Sequence, residues 1–323
     1  MIRSMYSGIS GLKNFQTKLD VIGNNIANVN TYGFKKGRTI FKDLISQTTA
    51  GASAGTDTRG GVNAKQVGLG SQLSAIDTIH SGGSMQSTGN TLDLAISGDG
   101  FFIVGDGIDV SPAGGGEFTN PLYTRAGNFY MDGNGYLINS DGKFVVGVAA
   151  SDWDGEPDSV SDAYPNASDV TSAGETGNLA GEDAEGISDY TVPTSEGEYT
   201  PIRIPTNAQS MSIGQDGTVT FVDAEGTLKW AGQLVLAKFP NPGGLTKAGS
   251  NYFQASPNSG NPLNQVATKE GMGSVNSGFL EMSNVDLSEE FTDMIVAQRG
   301  FQANTRIITT SDSILEELIN LKR

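Results

Sequence analysis

The stretch LDVIGNNIANVNTYGFKKGRTIF, Leu19–Phe41, contains both a helix and its end. Leu19, Ile22, Ile26 and Val29 recur at three- and four-residue steps, the spacing of one helical face. Asn24, Asn25, Asn28 and Asn30 run through that face although asparagine disfavours a helix interior, and Tyr32-Gly33 stops the pattern. Followed back toward the N-terminus, Met5, Ile9, Leu12, Gln16, Leu19, Gly23 and Ile26 step four, three, four, three without a slip, which predicts a heptad seam. Phe15, Ile22 and Val29 form a second line beside it.

The other end of the chain carries the same rhythm. Leu287, Phe291, Met294, Gln298, Phe301, Thr305, Ile308, Asp312, Leu315 and Ile319 keep the heptad spacing. Asp286, three residues before Glu289, resembles a capping box. At 1.5 Å per residue the two helices would be about 40 and about 50 Å long. Neither is strong alone: Gly8, Gly11 and Gly23 weaken the first, and Gly300 with the β-branched Thr305, Ile307, Ile308, Thr309 and Thr310 weakens the second.

The expectation is that the helices pair with each other and with copies of themselves. The net charges are opposite in sign, as pairing requires: +2 over residues 1–28, three bases against one acid, and −3 over residues 286–323, four bases against seven acids. In this reading Asn24, Asn25 and Asn28 specify an assembled multi-helix neighbourhood rather than the interior of a single chain.

Composition narrows the function classes. The 323 residues include 44 Gly, one His and no Cys, with a formal net charge of −16. That sign repels nucleic acid and anionic lipid, so neither is an expected partner. Without cysteine there are no disulfides and no thiolate metal sites. The N-terminus shows no basic stretch followed by an apolar run, so no cleavable signal is expected. No segment reaches the ~20 apolar residues of a membrane span, and membrane insertion is not expected.

Between the ends the texture is β. Runs such as LDLAISGDGFFIV, GNFYMDGNGYLINSDGKFVVGV and GTLKWAGQLVLAKF surround Asp132-Gly133, Asn134-Gly135, Asp141-Gly142 and Asp216-Gly217, which are hairpin signals. From Lys143 to Arg203 no base intervenes while acids recur, which predicts a loose acidic insertion. The expected class is α+β, mainly β: a discontinuous β-rich centre flanked by terminal heptad helices that pair in a coiled-coil-like layer. The expected division is 1–75 as an assembly helix plus extended linker, 76–150 and 200–275 as the β-rich centre, 151–199 as the acidic insertion, and 276–323 as the second assembly helix.

Chemistry is scarce. His80 lacks the partners that a general base or metal ligand needs, and no G-x-S-x-G elbow accompanies it. DWDGEPD, Asp152–Asp158, has carboxylates at short spacing but not the full calcium loop, so a solvated acidic turn is expected. No catalytic, metal or cofactor residue is assigned. A carbohydrate-active or calcium-dependent enzyme and a dimeric coiled-coil adaptor are the competing readings.

Four stretches carry a family resemblance. MYSGISGLKNFQTKLDVIGNNIANVNTYGFKKGR, TLDLAISGDGFFIV, YTRAGNFYMDGNGYLI and SNVDLSEEFTDMIVAQRGFQANTRIITTSDSILEELINLKR resemble the bacterial flagellar rod and hook axial proteins. The resemblance covers most of residues 1–148 and 203–323. Within the family the closing run and the insertion are most similar to hook members, and distal rod members come next.

The resemblance implies a non-enzymatic subunit, exported unfolded through the flagellar type III apparatus without a cleaved signal. It would polymerise outside the cell into a hollow helical tube that acts as a universal joint, with rod, hook-cap and hook–filament junction proteins as partners. It also implies that the turn Asn30, Thr31, Gly33, Phe34, Lys35 is a family motif and that Phe41 and Ile45, in FKDLI, form an export signal.

Overall fold

The computed structural model describes residues 2–55, 58–108, 118–149, 199–269 and 271–321. The expected acidic insertion, with its Asp152–Asp158 turn, lies outside the described residues but for Tyr199. The described residues form two compact units, each discontinuous in sequence.

One unit comprises Met1–Val29, Lys35–Ile79 and Val285–Arg323. Its helices are α1, Ile2–Ala27, and α2, Leu287–Asn320. Asp286 caps α2, its carboxylate accepting from the Ser288 amide at 2.8 Å and the Glu289 amide at 3.4 Å. That is half of the expected capping box. The Glu289 side chain pairs instead with Lys36 Nζ at 2.7 Å.

The linker expected up to residue 75 is paired, and its pairing runs on into residues 76–78. Gly37–Asp43 pairs antiparallel with Ser71–Thr78, and Ser46–Ala50 pairs with Lys65–Gly68, so the segment is a long β-ribbon. The ribbon is held to α1 by small and polar contacts. Asn14 Nδ2 donates to Ser71 Oγ at 2.8 Å, and a Cβ built on Gly70, whose φ is +123°, would lie 2.2 Å from Ser10 Oγ. Glycine is needed there for both the left-handed backbone and the space. Because no apolar alternation marks these contacts, a reading based on hydrophobic pattern passes over them.

The other unit comprises Asn30–Phe34 and His80–Asn284. Its main sheet is antiparallel, and the strand Leu228–Lys238 organises it. This strand pairs with Thr218–Val222, Phe144–Ala149, Phe101–Ile108 and Leu263–Val266 at different points along its length. Side chains alternate across a strand, so Leu234 and Leu236 enter one core with Phe102, Val104 and Val145. Val235 and Ala237 enter a second core with Phe101, Ile103 and Val146. Covering both faces explains why WAGQLVLA reads as a nearly continuous apolar run.

The expected turns form with side-chain help. Asp132 Oδ1 accepts from the amides of Asn134 at 2.9 Å and Tyr136 at 2.7 Å, and Asn139 Oδ1 accepts from those of Asp141 and Lys143. Two short ladders complete the unit: Ser274–Ser277 on Leu94–Ser97, and Phe279–Glu281 on Met85–Ser87. Residues 276–284 therefore belong to this unit, and the helical unit resumes at Val285. His80 packs its ring 5.7 Å from Phe101 and 5.3 Å from Phe253, centroid to centroid, in line with a structural role. The fold class is α+β, mainly β, with helices at both termini.

Candidate assembly interface

Within the helical unit, α1 and α2 run antiparallel along a seam of mostly small and polar residues. A Cβ on Gly8 would sit 3.6 Å from both Ile307 and Ile308, and one on Gly11 would sit 2.9 Å from Asn304 Nδ2. A Cβ on Gly300 would lie 2.6 Å from the Phe15 ring. Lys18 Nζ pairs with Asp293 at 3.1 Å, and Asn25 Nδ2 donates to Glu290 Oε2 at 3.2 Å.

The residues of α1 on this line are Gly8, Gly11, Phe15, Lys18, Ile22 and Asn25. They step three and four, as a heptad seam does. Each lies one residue before a position of the expected seam, and the same holds in α2 for Glu290, Asp293, Ala297, Gly300 and Asn304. A shift of one residue rotates the contact line by ~100°. Close approach of the two helices requires small residues, and the line with the larger apolar side chains would hold the axes apart.

Asn25 is 2 % exposed and fully engaged within the chain. Its Nδ2 donates to Gly37 O at 2.9 Å as well as to Glu290, and its Oδ1 accepts from Gly37 N at 3.0 Å. The multi-helix neighbourhood expected for Asn25 is formed at least in part within the chain: one amide joins α1, α2 and the ribbon. Asn28 donates from Nδ2 to Asn24 O at 2.9 Å and Asn24 Oδ1 at 2.8 Å, finishing the last turn of α1. Burial lifts the Glu290 carboxyl above the usual carboxylate range; Asn25 and Lys36 pull it down, and Glu289 and Asp293 push it up.

The residues singled out in the sequence divide accordingly. Phe15, Ile22 and Asn25 lie in the seam. Met5, Leu12, Leu19, Ile26, Met294, Phe301, Ile308 and Leu315 are half-buried along its margin. Ile9, Asn24, Leu287, Phe291, Gln298 and Ile319 are exposed, and so are Tyr6, Ile295, Val296 and Leu318. Gly8, Gly11, Ala297 and Gly300 are the small residues among the seam positions missed, which also include Lys18, Glu290, Asp293 and Asn304. Their signal is small side chains three residues apart on each helix.

The turn motif splits between the units. In the β-rich unit Gly33 has φ +70°, and a Cβ there would lie 2.5 Å from Ala126 N. Its amide donates to Glu281 O at 2.8 Å, Thr31 O accepts from Phe34 N, and the Phe34 ring lies under Lys247 Nζ at 4.9 Å. Asn30 and Thr31 line a polar cleft with Asn128, Asn139 and Asn251, while Lys35 is a buried residue of the helical unit. Phe41 is half-buried in the ribbon opposite Leu73, and Ile45 is 82 % exposed.

Three family models fall on these parts. "Flagella basal body rod protein" matches residues 5–35, "Flagellar hook protein FlgE/F/G D1 domain" matches 95–221, and "Flagellar basal body rod FlgEFG protein C-terminal" matches 276–321. The chain is 50 % identical to the flagellar basal-body rod protein FlgG of Bacillus subtilis, over 100 % of both chains. It belongs to the flagellar rod and hook axial protein family.

A second relative in that family, the flagellar hook protein FlgE of Borreliella burgdorferi, is 34 % identical over 100 % of both chains. That alignment spans 452 positions against 323 residues here, so at least 129 positions of the hook relative have no counterpart. The flagellar basal-body rod protein FlgG of the same organism is also 34 % identical, over 328 positions. Rod and hook axial proteins are structural and non-enzymatic, which removes the enzyme reading. Among the described residues, no helix is long and apolar enough to cross a membrane.

Proposed function

We propose that this chain is a self-polymerising subunit of the flagellar hook, forming a hollow helical tube that passes motor torque to the filament. The observation that carries the assembly reading is the seam. Small and polar residues are used where α1 meets α2, and Ile9, Phe291, Ile295, Val296 and Ile319 are left exposed on the same two helices. An apolar surface of this kind marks an interaction site. A contact between two different faces of identical subunits does not close on itself, so it grows a helical polymer. The partners in this reading are copies of the chain, the adjoining rod, hook-cap and junction proteins, and the type III export apparatus.

Hook is supported by the closing run SNVDLSEEFTDMI…ITTSDSILEELINLKR and by full-length alignment with a hook-named relative. The second reading, distal rod subunit, is supported by the 50 % identity to a rod-named relative. An epitope-tagged full-length chain, located by immunogold microscopy on basal bodies isolated from its flagellated host, separates the two. Label on the curved segment outside the envelope supports hook, label confined to the straight segment within it supports rod, and absence from the axial structure overturns both. Phe41 and Ile45 are proposed as the export signal.

A further inference from the structure

The face of α2 that meets α1 changes character along the helix. From Glu290 to Ser311 it carries Ala297, Gly300 and Asn304, and Ser311 is the last buried residue of the helix. Beyond it the same face turns to large apolar residues, Ile314, Leu315 and Leu318, spaced as the seam requires, with Ile319 and Leu321 beside them. Ile314 is 42 % exposed, Leu318 48 % and Leu321 83 %. A helix face that passes from small, buried residues to large, exposed apolar ones has the shape of a site for another helix.

We infer that the Ile314–Leu321 end of α2 docks on the outward face of α1 in a second copy of this chain, the face that carries Tyr6, Ile9 and Lys13. This rests on the assembly reading above and names its contact. Residues 6, 9 and 13 lie opposite Gly8, Gly11 and Phe15 around the helix, so α2 of the same chain does not cover them; Tyr6 is 64 % exposed and Ile9 46 %. The charges are complementary. Among the described residues, Asp312 and Glu317 flank the apolar face at the α2 end, and Arg3 and Lys13 lie on or beside the α1 face, all exposed. Opposite charges at the margin of an apolar contact orient the encounter and exclude like-with-like docking. Because the two faces differ, the contact is head-to-tail and open-ended.

The absence of cysteine from the chain makes the test clean. Full-length Ile9→Cys and Leu318→Cys chains are mixed in equal amounts, allowed to polymerise, oxidised and analysed on non-reducing gels, with the linked peptides identified by mass spectrometry. The expected result is a 9–318 link formed in the polymer, absent from the unpolymerised mixture and from either variant alone. A polymer that forms without that link, or that gives 9–9 or 318–318 links, overturns this contact while leaving the assembly reading in place. If the unsubstituted chain forms no polymer, both fall. As a second measurement, Asp312→Lys with Glu317→Lys is expected to slow polymer growth by about tenfold, and Arg3→Glu with Lys13→Glu to restore it. Growth unaffected by the first pair would also overturn the contact.

Discussion

Asn25 and Glu290 show how much a single polar pair decides. Asn25 satisfies both hydrogen-bonding groups of Gly37 and one oxygen of a buried carboxylate. Asn25→Leu would remove all three bonds and leave those groups buried, at a cost of about 2–4 kcal/mol. The expected outcome is a lower denaturation midpoint for the helical unit of the monomer, with faster amide exchange in α1, whether or not polymer is present. Glu290 sets a pH dependence. Burial raises its pKa, so the folded unit takes up a proton at a higher pH than the unfolded chain does. By linkage its penalty is present at neutral pH and is relieved as the pH falls through the folded value. Glu290→Gln should therefore melt higher than the natural chain at pH 7, with the gap closing on acidification. Melting curves of both proteins from pH 7 to 5 check the sign.

At the scale of the element, the two helices and the cap at Asp286 were legible in the sequence, because heptad spacing and a capping carboxylate are local features. The contact line between the helices was not. A hydrophobic reading selects Leu12, Leu19, Met294 and Phe301, whereas close packing within the chain selects Gly11, Lys18, Asp293 and Gly300 one residue earlier. The ribbon over residues 37–78 escaped for a related reason, since its hold on α1 runs through Ser10, Asn14, Gly70 and Ser71. The seam makes a specific prediction. Glycine to alanine inside a helix ordinarily gains about 1 kcal/mol, but the new Cβ at Gly300 would lie 2.6 Å from the Phe15 ring. Gly300→Ala should therefore destabilise the helical unit, and should become stabilising when Phe15 is also replaced by alanine. A double-mutant cycle on unfolding free energies reads the reversal directly.

On the scale of the whole molecule, β character, turn positions and terminal helices could be read from pattern, but the closure of the β-rich unit could not, because it joins residues far apart in sequence. Glu281 pairs with Arg125 at 3.3 Å, accepts from Gly83 N at 2.9 Å on Oε1, and receives the Gly33 amide on its backbone oxygen. Arg125 also donates to Ile96 O and Gly98 O. Both side chains are almost fully buried, at 4 % and 1 % exposure. Breaking such a pair from one side leaves an uncompensated buried charge, so Glu281→Ala should cost about 3–5 kcal/mol, read as a lower midpoint in denaturant unfolding of the β-rich unit. The central claim is that the apolar residues left outside the α1–α2 seam drive polymerisation. The most direct measurement is electron microscopy and sedimentation of a Phe291→Ser, Ile295→Ser chain beside the natural one, with circular dichroism of both monomers. The account predicts an unchanged monomer spectrum and melting transition with loss of tubes; tubes formed as readily as by the natural chain would contradict it.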